Sequence, residues 1–337
     1  MTGPLLPLLL AAAALATTGA PPAPSYRVTG SIAGPDGAGW DYASVDATGD
    51  HLFVAHGDAV TEVTLSRSNQ VRSIGSIQHG HAVVPVPGTK TLLVTSGRDS
   101  SVRLIDLTSG KETASLTVGD DPDAAIIDPA TGHVLTMNAH AGTVSEVDVA
   151  QKRIVRTIHV KPALEFAAIG PAHTLFINNE DDDEINTVDL ATGRMGASIA
   201  LTGCEGPTGM AYDAETSRLI SSCANRKAAV VDARSRKLVA LIDIGSGPDA
   251  VLLDTGRRLA FIPCGRDGVL DVLSLDAPGG VKRIASIKTE IGARTGALDA
   301  RTGTIYLPTA KFGPPAKTGG RPVASPGTFH IVVVKPV

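Results

Sequence analysis

Gly80-His81-Ala82-Val83-Val84, Thr91-Leu92-Leu93-Val94-Thr95, Ser101-Val102-Arg103-Leu104-Ile105-Asp106 and Glu112-Thr113-Ala114-Ser115-Leu116-Thr117-Val118 follow one another with only short turns between them. Each is a brief run rich in β-branched and aliphatic residues, and the four fit in about forty residues. The same pattern is written seven times between Trp40 and Val334. Four short strands at a fixed period near 40 are the mark of a β-propeller, with one sheet per repeat. A single sheet cannot bury both of its faces, so the copies must stack around a channel to make a core.

The turn after the first strand of each copy serves as an anchor. It falls at Asp46, Val86, Asp128, Gly170, Asp213, Asp254 and Asp299, at intervals of 40, 42, 42, 43, 41 and 45 residues. Second strands follow at Leu52–Val54, Leu92–Val94, Val134–Thr136, Leu175–Ile177, Leu219–Ser221, Leu259–Phe261 and Ile305–Leu307. Third strands tend to end in Asp, as at Asp106, Asp148, Asp189 and Asp232, where the side chain starts a turn by bonding backbone two residues on. Fourth strands are expected at Val71–Ile77, Glu112–Val118, Ile154–Val160, Met195–Leu201, Leu238–Ile244 and Lys282–Lys288. The seventh copy stops after its third strand, Phe329–Val334. Tyr26–Ile32 has the rhythm of a fourth strand, and pairing it with the last copy would close the ring and remove an open edge. The expectation is an all-β, seven-bladed β-propeller of four-stranded antiparallel blades, a single domain over 26–337.

Composition narrows the function classes. The formal net charge is −4 and no basic block occurs, which argues against a nucleic-acid partner held by phosphate neutralisation. With 36 Gly and 22 Pro the chain suits many turns, and its 3% aromatic content does not suit a sugar-stacking surface. The apolar run Leu5 to Leu15 is too short to span a membrane, and Ala14-Leu15-Ala16 offers a small-x-small cleavage site. No Lys or Arg precedes Arg27, so the positive flank of an export signal is missing. Residues 1–16 are nonetheless read as a signal peptide and 17–25 as a disordered, Pro-rich leader. That makes the mature chain periplasmic or secreted, without a membrane span and monomeric.

The residues also resemble a family. Gly39-Trp40-Asp41-Tyr42, Gly119-Asp120-Asp121-Pro122-Asp123-Ala124, Cys204-Glu205-Gly206-Pro207-Thr208-Gly209, Gly245-Ser246-Gly247-Pro248-Asp249-Ala250, Gly292–Asp299 and Ile305–Pro314 are similar to segments of the YncE-like, YVTN-type propellers, exported bacterial proteins. The resemblance spans nearly the whole mature chain and implies the propeller fold. It implies little about activity. One branch is associated with single-stranded DNA, whereas this acidic chain lacks the basic groove and aromatic platform such binding requires.

Five residues before each anchor stand Asp41, His81, Asp123, Glu165, Thr208, Asp249 and Arg294. All are polar and four are carboxylates. Each begins a first strand, where the innermost strands of a propeller surround the channel mouth. They could simply cap turns and bond neighbouring blades, as buried polar groups must. They could instead line a site for a small polar ligand, a cation or a protein partner. Converging carboxylates repel unless protonated or bridged by a cation, so Asp41, Asp123, Glu165 and Asp249 are candidate ligands for a hard divalent ion such as Ca or Mg (calcium or magnesium). Were the protein an enzyme, the same ring would suit a metal-assisted hydrolase or lactonase, with His81 as general base beside Asp123. A pure protein-interaction scaffold is the third alternative. Glu180-Asp181-Asp182-Asp183-Glu184 reads first as a solvated charge run. Trp40, the sole Trp, could be a packing residue or a ligand platform. Of the three cysteines, Cys204 and Cys223 are placed to form a disulfide, leaving Cys264 free. No serine-nucleophile elbow, zincin motif or phosphate-binding glycine loop is present.

Overall fold

A computed structural model describes residues 25–37, 39–313 and 323–337. The expected signal peptide and all of the leader but Ser25 lie outside them. Apart from one short turn at Pro171–His173, every regular element is a strand. Seven sheets of four antiparallel strands form in the order expected from the repeat. Blade 2 shows the rule: Gly80–Pro85 innermost, then Thr91–Ser96, Ser101–Asp106 and Lys111–Thr117 outward. Among the described residues no helix is long and apolar enough to cross a membrane.

Blade 7 is closed by the chain's own beginning. Tyr26–Ala33 pairs antiparallel with His330–Pro336, with a bulge at Thr29 between Val28 and Gly30. That strand buries Tyr26 and Ile32, and the Tyr26 ring meets Phe261 of blade 6 edge-on at 4.8 Å. Successive blades pack face to face through interleaved aliphatic and aromatic side chains. Phe53, Val83, Leu92 and Ile105 fill the seam between blades 1 and 2, and Phe261, Leu270, Ile305 and Leu307 that between blades 6 and 7. Fully burying each such side chain is worth roughly 1.5–3 kcal/mol.

One outer strand departs from expectation. In blade 4 the run expected at Met195–Leu201 is split into Arg194–Met195 and Ile199–Ala200. Side chains of the neighbouring third strand take over the interrupted ladder: Thr187 Oγ1 donates to the Ala197 carbonyl at 3.0 Å, and Asn186 Nδ2 to Ser198 Oγ at 3.2 Å.

The feature that positions the site is a repeated irregularity of the innermost strands. In blades 2 to 5 the inner strand pairs through its first residue, skips two, then resumes. The paired positions are Gly80 then Val83, Pro122 then Ala125, Leu164 then Ala167, and Pro207 then Met210. In blades 1, 6 and 7 regular pairing begins only at Ala43, Leu252 and Ala297. Such a bulge frees backbone from the ladder and re-aims a side chain. The freed groups are satisfied sideways by the adjacent blade, as buried backbone requires. Thr95 Oγ1 donates to the Asp123 carbonyl at 3.0 Å, Asn178 Nδ2 to that of Thr208 at 2.7 Å, and Thr295 Oγ1 to that of Asp41 at 2.8 Å. Close approach of inner strands also demands Gly209, where a Cβ would come within 2.5 Å of Ala250 Cα.

Candidate functional site

Asp41, His81, Asp123, Glu165, Thr208, Asp249 and Arg294 all line one cavity of about 500 Å³ at the channel mouth. His81, Asp123, Glu165 and Thr208 are the first of the two skipped residues in their blades. Asp41, Asp249 and Arg294 occupy the matching unpaired positions. Tyr42 lines this cavity and also a small apolar chamber below it, so its buried ring partitions the two, steadied by Phe166 at 5.2 Å.

The loops after the second strands, and the connection just before the first strand of blade 3, add residues that strand register alone does not indicate. Asp121, His140, Glu180 and Asp181 join the lining. The acidic run therefore divides its work. Glu180 and Asp181 face the cavity, Asp182 and Glu184 hold Lys161 at 3.1 and 2.6 Å, and Asp183 accepts from the Gly206 amide at 2.8 Å. Asp121 sits two residues before Asp123, and its proximity to the ring residue was the signal available for it.

Two cations answer the carboxylates from within the ring. His81 Nδ1 donates to Asp41 Oδ2 at 2.7 Å, with Asp123 Oδ1 at 3.3 Å and Asp121 Oδ1 3.8 Å from Nε2. Burial would depress the imidazolium, but the Asp41 bond and the charges of Asp123, Asp41 and Asp121 outweigh it and raise its pKa to about 9. Arg294 Nε contacts Asp249 Oδ2 at 3.1 Å, and its Nη2 reaches Asp41 Oδ1 at 4.0 Å. Even so, Asp123, Glu165 and Asp249 all have pKa values pushed up. Burial is the first cause for each, followed by the charge of Asp41 for Asp123 and of Asp123 for Glu165; for Asp249 burial outweighs the opposing pull of Arg294. The Tyr42 hydroxyl beneath them is driven well up by burial and by the carboxylates above.

The ring residues are not equivalent in what remains free. The Thr208 hydroxyl is already bonded to the Pro248 carbonyl and Ser222 at 3.3 Å, which fits a blade-joining role. Glu165 makes no ion pair among the described residues. For a metal, Asp41, His81 and Asp123 each present one ligand atom within 4.8 Å of the others. Glu165 and Asp249 do not join that cluster, and Asp249 is tied to Arg294. The donor set is of a kind that divalent ions accept, provided that His81 gives up its proton.

A larger cavity of about 880 Å³ lies on the opposite face between blades 1 and 2. Its buried acid, Glu62, is already satisfied by His51 at 2.9 Å and Arg72 at 2.7 Å, so it offers no unmatched charge. Elsewhere at the mouth, Cys204 and Cys223 are joined as a disulfide with Cα atoms 5.4 Å apart. Cys264 is a buried free thiol, its pKa raised by burial and by Asp271.

No protein-family profile matches the chain, and no curated protein matches it in sequence. Among solved structures it is similar to a chain of the Kuenenia stuttgartiensis hydrazine synthase, with a TM-score of 0.71 over 82% of this chain and 92% of that one. Identity is 15%, so the likeness concerns the fold alone, and that fold is the β-propeller.

Proposed function

We propose that this propeller is an exported, YncE-like binding protein whose ligand is a small organic molecule carrying a positive charge, held at the channel mouth. One observation supports this above all. Seven carboxylates, from Asp41, Asp121, Asp123, Glu165, Glu180, Asp181 and Asp249, face a single cavity. Among the described residues the ring answers them with His81 and Arg294, and the exposed His140 stands 3.3 Å from Asp121 at the rim. A bound ammonium supplies the N–H donors and charge the carboxylates lack, and it favours their ionised forms. A cavity of about 500 Å³ also suits a small molecule better than a bare ion, which needs ligand oxygens converging within about 2.3–2.6 Å. Export accords with the N-terminal apolar run and with the Cys204–Cys223 bond, which persists in oxidising compartments.

Titration calorimetry with ethylamine and with putrescine tests the reading. Binding should release protons, strengthen as pH rises, and weaken in Asp123→Asn and Glu165→Gln. Failure of both amines to bind, or equal binding of acetate, would overturn it.

The Asp41–His81–Asp123 cluster favours one rival, a metal-assisted hydrolase or lactonase. Those three residues would hold a divalent ion, which would polarise a substrate carbonyl. A metal analysis followed by a panel of lactones and esters, with and without chelator, decides between them. Turnover abolished by chelator and by Asp123→Asn would favour the enzyme.

A further inference from the structure

Beside the acidic cavity runs a second, apolar groove of about 710 Å³, and Arg294 lines both. Trp40, Gly292, Phe312, Val323, Ala324 and Pro326 line it, with Asp36 as its carboxylate. Blade 7 builds it. Twenty residues separate Thr309 from His330, where blade 2 uses four between Ser96 and Ser101. Part of that long connection forms a small hairpin, Phe312–Gly313 against Val323–Ala324. The hairpin is docked tightly at its base, because a Cβ on Gly292 would come within 2.4 Å of the Phe312 ring. Trp40 packs against Phe312 and Phe329 at 6.0 and 5.7 Å, and it directly precedes Asp41 in the chain. Val323 stands 54% exposed on the groove wall.

We propose that the ligand is an amphiphilic amine: its ammonium enters the acidic cavity and a ring-sized apolar group lies in the Trp40–Phe312 groove. The inference rests on the cationic-ligand reading above and adds the second half of the molecule. The two compartments adjoin: Arg294 lines both, and the adjacent residues Trp40 and Asp41 serve one each. Polarity differs between them: seven carboxylates line the acidic cavity, whereas among the described residues the groove has Asp36 as its one carboxylate beside mainly apolar residues. Arg294 spends its Nε edge on Asp249 and is 46% exposed, so a hydroxyl or carboxylate between the ligand's two ends would meet its remaining N–H groups.

The test compares ethylamine with phenethylamine on the full chain by calorimetry and by the fluorescence of Trp40, the sole tryptophan. Burying the ring should make phenethylamine bind about tenfold to a hundredfold more tightly. It should also shift or quench Trp40 emission, while ethylamine leaves it unchanged. Phe312→Ala should shrink the affinity ratio to about threefold or less. Because Phe312 also supports the hairpin, Val323→Ser is the second variant and should lower the ratio in the same direction. If both amines bind equally with Trp40 silent, the amphiphile idea falls while the cationic reading stands. The amphiphile idea falls likewise if the ratio survives both variants, or if Val323→Ser lowers only the melting temperature. If neither amine binds, the cationic reading falls and takes this inference with it.

Discussion

Replacing Asp41 with Asn removes the carboxylate that accepts from His81 Nδ1 at 2.7 Å while barely changing the side chain's volume. His81 is the residue to watch. Burial alone would hold its imidazolium below 6.5, and the Asp41 bond with the charges of Asp123, Asp41 and Asp121 carries it to about 9. Moving from 6.5 to about 9 corresponds to about 3 kcal/mol of interaction favouring the charged form, at 1.36 kcal/mol per tenfold. Asp41 supplies the bond and one of the charges, so the variant should titrate well below the native value of about 9, held up only by the remaining charges, with Asp123 at 3.3 Å. Long-range ¹H–¹⁵N correlation spectra across a pH series measure this directly, with His81→Gln identifying the signal among nine histidines. Stability carries the same sign. A histidine raised in the folded state contributes fully below 6.5, and that contribution is lost as pH rises through about 9. Asp123, Glu165 and Asp249, also raised, keep protons that the unfolded chain has released, so they too make stability fall as pH rises. The wild type should therefore melt lower near pH 9 than near pH 6, and Asp41→Asn should flatten that slope. A wild-type His81 titrating at or below 6.5, or an unchanged value in the variant, would contradict this account of the ring.

Deleting the chain through Ala33 exposes the His330–Pro336 edge and forfeits the burial of Tyr26 and Ile32, roughly 3–6 kcal/mol from those two side chains alone. Calorimetry should show a fall of about 10 °C or more, and an unchanged melt would disprove the closure. Reducing the Cys204–Cys223 bond, with its 19-residue separation, should cost about 3 kcal/mol in urea unfolding. Non-reducing peptide mapping should yield the Cys204–Cys223 pair, and a Cys223–Cys264 peptide would reverse the assignment. Arg294→Gln removes the one influence lowering Asp249 most strongly, so carboxyl ¹³C titration should place Asp249 higher still.

The architecture was legible because a propeller repeats its grammar. Equal spacing of Asp46, Val86, Asp128 and their counterparts is a statement about turns, and turns depend on local residues. The closing strand was legible for the same reason, as Tyr26–Ile32 matched a slot left empty elsewhere. The broken outer strand of blade 4 was not, because Thr187 and Asn186 reach across to Ala197 and Ser198 only once the sheet exists. The acidic run misled in part. Composition marks Glu180–Glu184 as charged, but Lys161 and the Gly206 amide decide which members turn outward. The apolar groove depends on a hairpin that, among the described residues, blade 7 alone carries, so register could not place it.

The ring itself shows what register can and cannot carry. Equal offsets put seven side chains around one mouth, yet they do not say which of them is spent on the fold. Thr208 and Glu165 hold the same position in neighbouring blades. The Thr208 hydroxyl is consumed by the Pro248 carbonyl, while Glu165 pairs with no cation among the described residues. The difference arises from the bulge. In blades 3 and 5, and at the matching unpaired position of blade 1, the carbonyl of the ring residue is bonded sideways by the preceding blade around the ring, through Thr95, Asn178 and Thr295. The side chain at that position is then free for the cavity unless it is short enough to reach a carbonyl of the next blade, as Thr208 reaches Pro248. A threonine is that short, whereas an aspartate, glutamate, histidine or arginine extends past them into the cavity. Length and charge at an unpaired position therefore separate the residues that join blades from those available to a ligand, which is why the carboxylates, His81 and Arg294 are the positions to perturb.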